Sequence, residues 1–151
     1  MQLVSPDPNT IDEAANRLAG TQARRDHLSR YSYQDIPFPS ELAMRQLLSA
    51  TGVWMIVTGE GPVGFILYPA RPHAKSFGMA IALDYCRRGY ARAALREFVA
   101  RCPEFGIREL NGYCRNDNAG MIATLKACGF QQVAGFEDHA EPRALRFAFP
   151  L

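Results

Sequence analysis

One loop limits what this chain can become. The run Asp84-Tyr85-Cys86-Arg87-Arg88-Gly89-Tyr90-Ala91-Arg92 stands between a strand-like segment and a helix-like one. Residues 75–83, before it, read as a long strand. After it, Ala91, Ala94, Leu95, Phe98, Val99 and Cys102 recur at helical spacing, with Arg92, Arg96, Glu97 and Arg101 opposite them. The spacing predicts a helix over residues 90–102. The first N–H groups of such a helix have no intrahelical partner and lie at the positive end of its dipole. That is a natural seat for a phosphate. Gly89 permits unusual backbone angles, Ala91 leaves the approach clear, and Arg87, Arg88 and Arg92 add charge. An Arg-rich loop that merely starts a helix explains this segment alone about as well.

The rest of the chain arranges itself around that step. Residues 1–4 predict a short first strand. Asn9-Thr10 offers a helix cap with Asp12 and Glu13 in the first turn, and Ile11, Ala14, Ala15 and Leu18 follow at helical spacing until Gly20. A second, weaker helix is predicted over residues 21–30, and the prolines make 31–39 a loop. Ser40 caps a helix through Leu42, Met44, Leu47 and Leu48. Residues 53–57 and 63–68 read as strands of a hairpin turning at Gly59-Glu60-Gly61-Pro62. Beyond the central helix come a strand over 107–114, a helix over 118–127 stopped by Gly129, and closing strands over 130–134 and 144–149. Helices, a three-stranded meander, then strand–helix–strand–helix–strand–strand give an α/β fold with a mixed sheet flanked by helices. No repeat or composition break divides the chain, so its 151 residues predict one domain.

Composition removes several function classes. A net charge of +2 is too small to argue for nucleic acid or an acidic membrane surface. Of the seventeen basic residues only Lys75 and Lys126 are lysine. Codon bias explains most of these arginines, although the guanidinium fork also suits phosphate. Arg24, Arg25 and Arg30 beside Tyr31 and Tyr33 hint at a nucleic-acid surface, but Asp26, Asp35 and Glu41 dilute it. Cys86, Cys102, Cys114 and Cys128 have neither zinc-ligand nor disulfide-framework spacing, so no metal is expected. The N-terminal residues lack a signal-peptide pattern and no apolar run approaches a membrane span, which makes the reducing cytoplasm the expected compartment.

Gly59-Glu60-Gly61-Pro62-Val63-Gly64 literally fits G-x-G-x-x-G, yet it joins strand to strand. A dinucleotide fingerprint opens a helix, so this one is a hairpin turn. Cys86-Arg87-Arg88-Gly89-Tyr90-Ala91 has the right context. It resembles the Q/R-x-x-G-x-G/A signature of the GNAT superfamily of N-acetyltransferases, departing from it at Cys86. The family also carries an asparagine twelve residues before the Phe of a Gly-Phe pair, and Asn118 precedes Gly129-Phe130 by that spacing. Met121-Ile122-Ala123-Thr124-Leu125-Lys126 between them keeps the family's pattern, and the resemblance runs from about Ser76 to Ala134.

The resemblance implies a splayed sheet that takes acetyl-CoA between two parallel strands and passes the acetyl group directly to an amine. By position, the main chain of Met79 and Ile81 would hold the pantetheine arm, and the Ile81 N–H would polarise the thioester carbonyl. The N–H groups of Arg87, Arg88, Gly89, Tyr90, Ala91 and Arg92 would hold the pyrophosphate. Asn118 would meet the arm, cap its helix, or do both. Many relatives use a Tyr as acid five residues before that Phe, where this chain has Leu125. Tyr113 is the candidate in its stead. No acidic residue stands on the strand over 76–83 to act as base. Glu137, Asp138 and His139 could border the acceptor, His27 and His73 have no motif to support them, and Cys114 reads as a buried strand residue. The acceptor would be a small amine or a peptide N-terminus, selected by residues 10–49 and 135–142. Relatives are often homodimers. A catalytically inactive module that holds acyl-CoA is the alternative, because the usual Tyr and Glu are missing.

Overall fold

The computed structural model describes residues 1–30, 37–70, 75–133 and 144–151. Among them, seven strands form one sheet in the order β1-β2-β3-β4-β5-β7-β6. The strands are β1 (Gln2–Val4), β2 (Val53–Thr58), β3 (Gly61–Leu67), β4 (Ser76–Ile81), β5 (Leu110–Arg115), β6 (Gln131–Gln132) and β7 (Ala144–Phe149). The helices are α1 (Pro8–Ala19), α2 (Gln22–Arg30), α3 (Glu41–Leu48), α4 (Tyr90–Arg101) and α5 (Ala119–Ala127). Every neighbouring pair is antiparallel except β4 and β5, which run parallel.

Two buried clusters cover the two faces of the sheet. Val53, Met55 and Phe65 join α1 and α3 through Ala15, Leu18, Met44 and Leu48. Ile56 and Ile66, with Trp54 against them, join α4 and α5 through Leu95, Phe98 and Leu125. Consecutive residues of β2 alternate between the clusters because strand side chains have a period of two. This is why residues 53–57 read as one unbroken apolar run: both faces are covered.

The expected fold stands, with corrections at element ends. The cap of α1 is Asp7, not Asn9-Thr10. Its carboxylate accepts from the Asn9 and Thr10 N–H groups at 2.8 and 3.1 Å, and the Thr10 hydroxyl accepts from the Asp7 N–H at 3.2 Å. Pro8, with φ already fixed, opens the helix. Asp12 and Glu13 therefore lie beyond the first turn. Ser40 does cap α3, accepting from the Ala43 N–H at 3.0 Å. Pro62 belongs to β3 rather than to the turn; it pairs with Val57 beside a register shift, where a missing N–H is tolerated. β4 ends at Ile81 rather than Leu83, because Leu83–Tyr85 winds into a 3-10 turn. β5 starts at Leu110 rather than Ile107, and β6 is confined to Gln131–Gln132. Residues 31–36 of the proline loop and Ala134 lie outside the described residues.

Candidate active site

The sheet opens where β4 meets β5. Only Ser76 with Asn111 and Phe77 with Gly112 pair between them, after which the strands separate. At Gly112 an added Cβ would lie 2.9 Å from both Leu125 and Phe77 side chains, so the chain is bare where the seam begins. The other edge of β4 continues to bond β3, and Ala82 N–H donates to Val63 C=O at 2.8 Å. Peptide groups of an antiparallel strand alternate between its two sides. With residue 82 turned to β3, the N–H and C=O groups of Met79 and Ile81 turn the other way, into the open seam.

The seam leads to the loop before α4. Gly89 is the N-cap residue, at φ +83°, and no side chain caps the helix. Arg87 also has positive φ, +63°, which a non-glycine residue seldom adopts. The first turn of α4 therefore presents backbone donors with no side chain competing for them. Seam and loop together border a cleft of about 590 Å³, a volume typical of a small-molecule site.

Met79, Ile81, Arg87, Gly89, Tyr90, Ala91, Arg92, Tyr113 and Asn118 all line this cleft. The Arg88 side chain does not. It is held on the outside by Glu60 at 3.0 Å and the Asp84 carbonyl at 3.2 Å, and its guanidinium stacks over Tyr85. Asn118 caps α5, its side-chain oxygen accepting from the Met121 N–H at 3.1 Å. Tyr113 reaches the cleft from β5, and Leu125, fully buried, contributes to its wall. Burial raises the Tyr113 phenol above its ordinary range; Arg146 opposes the shift and Glu109 adds to it. The phenol therefore keeps its proton at neutral pH, as a donor must. Cys114 lies in the wall, and burial pushes its thiol up to about 11. It is a thiol and not a nucleophilic thiolate.

Two cleft residues carried no role in the sequence. Cys86, in the first position of the loop signature, turns its Sγ back to the carbonyls of Ala82 and Ile81 at 3.4 and 3.6 Å. Burial raises its thiol, Arg87 lowers it and Asp84 raises it. His27 of α2 comes within 3.1 Å of the Ile81 carbonyl and 3.3 Å of Cys86 Sγ. The helix is pinned there by Arg24, which pairs with Asp84 at 2.7 Å. No sequence motif links residues 27 and 86. Only the docking of α2 on the 3-10 turn brings them together. Glu137, Asp138, His139 and His73 lie outside the described residues.

A parallel seam that parts beside an uncapped helix start defines a fold built to hold an extended ligand with an anionic end. The sequence matches the acetyltransferase (GNAT) domain over residues 3–131, and the chain belongs to the GNAT acetyltransferase family. No protein of curated function matches the sequence. Solved structures share the fold at low identity. A GNAT-family acetyltransferase from Bacillus anthracis is 12% identical, with 97% of this chain and 92% of that one covered at a TM-score of 0.74. RimL, a ribosomal-protein acetyltransferase solved with coenzyme A, is 15% identical, with coverage of 97% and 90% and a TM-score of 0.72. The Vibrio cholerae spermidine N-acetyltransferase, solved with CoA and spermine, is 14% identical, with coverage of 98% and 94% and a TM-score of 0.70. No helix among the described residues is long and apolar enough to cross a membrane.

Proposed function

We propose that this chain, as a single domain, transfers the acetyl group of acetyl-CoA directly to an amine, and that the seam between β4 and β5 is where it does so. One observation carries the reading: the seam-facing peptide groups of Met79 and the N–H of Ile81 lead straight to the uncapped start of α4. The donor set fits the co-substrate. The N–H and C=O of Met79 and the N–H of Ile81 face the seam and suit an amide-bearing arm, while the Ile81 C=O is taken by His27. Backbone N–H groups from Arg87 to Arg92, with the side chains of Arg87 and Arg92, suit a pyrophosphate. The Ile81 N–H lies where it can stabilise charge on the thioester oxygen. Asn118 holds the start of α5 beside the arm. Tyr113 donates the proton that the departing sulfur takes, in place of the phenol that Leu125 cannot supply. Holding amine and thioester together supplies much of the rate.

The acceptor is a small amine or a peptide N-terminus. RimL and the spermidine enzyme have the same fold and different acceptors, so fold does not choose between these. The four cysteines are unpaired, which suits a reducing cytoplasm.

Calorimetry with acetyl-CoA, free CoA and NADH tests the reading. Binding of the first two and not of NADH is expected. Folded protein that binds none of them would reduce the loop to a helix start. Binding without thiol release from any amine would leave an acyl-CoA-binding module, the reading favoured by Leu125 at the family's tyrosine position.

A further inference from the structure

The attacking amine must lose a proton, so the transfer needs a base. Among the described residues that line the cleft there is no Asp or Glu. Its arginines stay charged. Burial raises the Cys86 and Cys114 thiols and the Tyr113 phenol, so they keep their protons. His27 is the one imidazole in the described lining. Its Nε2 meets the Ile81 carbonyl at 3.1 Å. A carbonyl only accepts, so the ring hydrogen sits on Nε2 and the lone pair on Nδ1.

We propose that His27 is the general base of the transfer. The assignment rests on the reading that the thioester of acetyl-CoA lies at Ile81. The N–H of that residue faces the thioester oxygen, while its C=O holds the imidazole in the lining of the same cleft. The amine nitrogen bonds to the acetyl carbon and gives one proton to Nδ1. The carbon–sulfur bond breaks, its electron pair leaves on sulfur, and sulfur takes a proton from the Tyr113 hydroxyl. Solvent then removes the proton from His27 and returns one to Tyr113. Throughout, the Nε2–H bond to the Ile81 carbonyl steadies the imidazolium, as an acceptor behind a catalytic histidine does.

Among the described residues, the charged and titratable groups around the ring come from α2, the 3-10 turn and the loop before α4. Cys86 lies 3.3 Å from Nε2, and Tyr85 and Arg87 line the same cleft. The Arg24–Asp84 pair binds α2 to the 3-10 turn, and Asp26 accepts from Gln22 at 2.7 Å.

His27→Gln tests the assignment, because a glutamine amide can still donate to the Ile81 carbonyl but cannot take up a proton. Thiol release from acetyl-CoA is followed with glycinamide, spermidine and an alanine-terminal tripeptide. H27Q should bind acetyl-CoA like the parent by calorimetry and turn over about 100-fold more slowly. The ratio of parent to H27Q rates should rise with pH, because only the neutral imidazole can accept the proton. Ionisation of the amine is common to both proteins and cancels in that ratio. Added imidazole should restore part of the His27→Ala rate in proportion to its neutral fraction. A flat ratio, or an H27Q rate equal to the parent's, overturns the base and leaves the acetyl-CoA site standing. Parent protein that binds acetyl-CoA but releases no thiol with any of the amines overturns the base as well. Parent protein that does not bind acetyl-CoA removes the site and the base together.

Discussion

Gly89 faces open space: a Cβ built there has nothing within 4 Å. The residue is held at φ +83°, which side-chain-bearing residues seldom adopt. Vacancy around a glycine at an uncapped helix start is what a close-approaching ligand requires. Gly89→Val should therefore fold, with a local strain of about 1–3 kcal/mol, and should lose acetyl-CoA binding by calorimetry. A folded G89V protein with full affinity would move the pyrophosphate away from this loop. Arg88→Ala should change affinity little, because its guanidinium is already engaged by Glu60 and the Asp84 carbonyl. All three arginines of the loop look alike in the sequence. In the structure Arg87 and Arg92 line the cleft, while the Arg88 side chain goes to the hairpin turn.

At the scale of elements, helix ends were harder to read than helix bodies. The apolar stripe of α1 was legible from Ile11, Ala14, Ala15 and Leu18, because period 3.6 survives any error at the ends. The cap was not. Asp7, Asn9 and Thr10 are all good capping residues, and adjacent candidates compete on equal terms. Asp7 prevails because Pro8 opens the helix and Thr10 returns a hydrogen bond. Asp7→Ala should cost about 1 kcal/mol, read as a lower urea midpoint at unchanged slope. An unchanged midpoint would mean that packing of α1 on α3 holds the helix without its cap. The 3-10 turn at Leu83–Tyr85 was equally hidden. Leu83 continues the apolar run of β4, and only the tertiary path shows that the strand has ended.

For the whole molecule, stability and site share one architecture. Phe98 of α4 is fully buried and stacks edge-on to Trp54 of β2 at 5.1 Å. It joins the helix that presents the loop to the hairpin that supports β4. Phe98→Ala should cost about 3–5 kcal/mol by equilibrium unfolding. A loss below about 1 kcal/mol would mean that neighbouring side chains collapse into the space. α4 should then also keep its place beneath the loop.

The sequence by itself determined the α/β class, the order of elements, the loop at residues 84–92 and its resemblance to GNAT acetyltransferases. These are local properties: periodicity, turn chemistry and short motifs, all written within a few residues of one another. It also marked Met79 and Ile81, because their distance along the strand from Gly89 is a local quantity. Tertiary structure alone decided that β4 and β5 part after Phe77, which depends on partners more than thirty residues away. It alone removed the Arg88 side chain from the cleft and brought His27 to Ile81, 54 residues along the chain. Side chains that meet across such separations do so through the packing of whole elements, and no window on the sequence contains that packing.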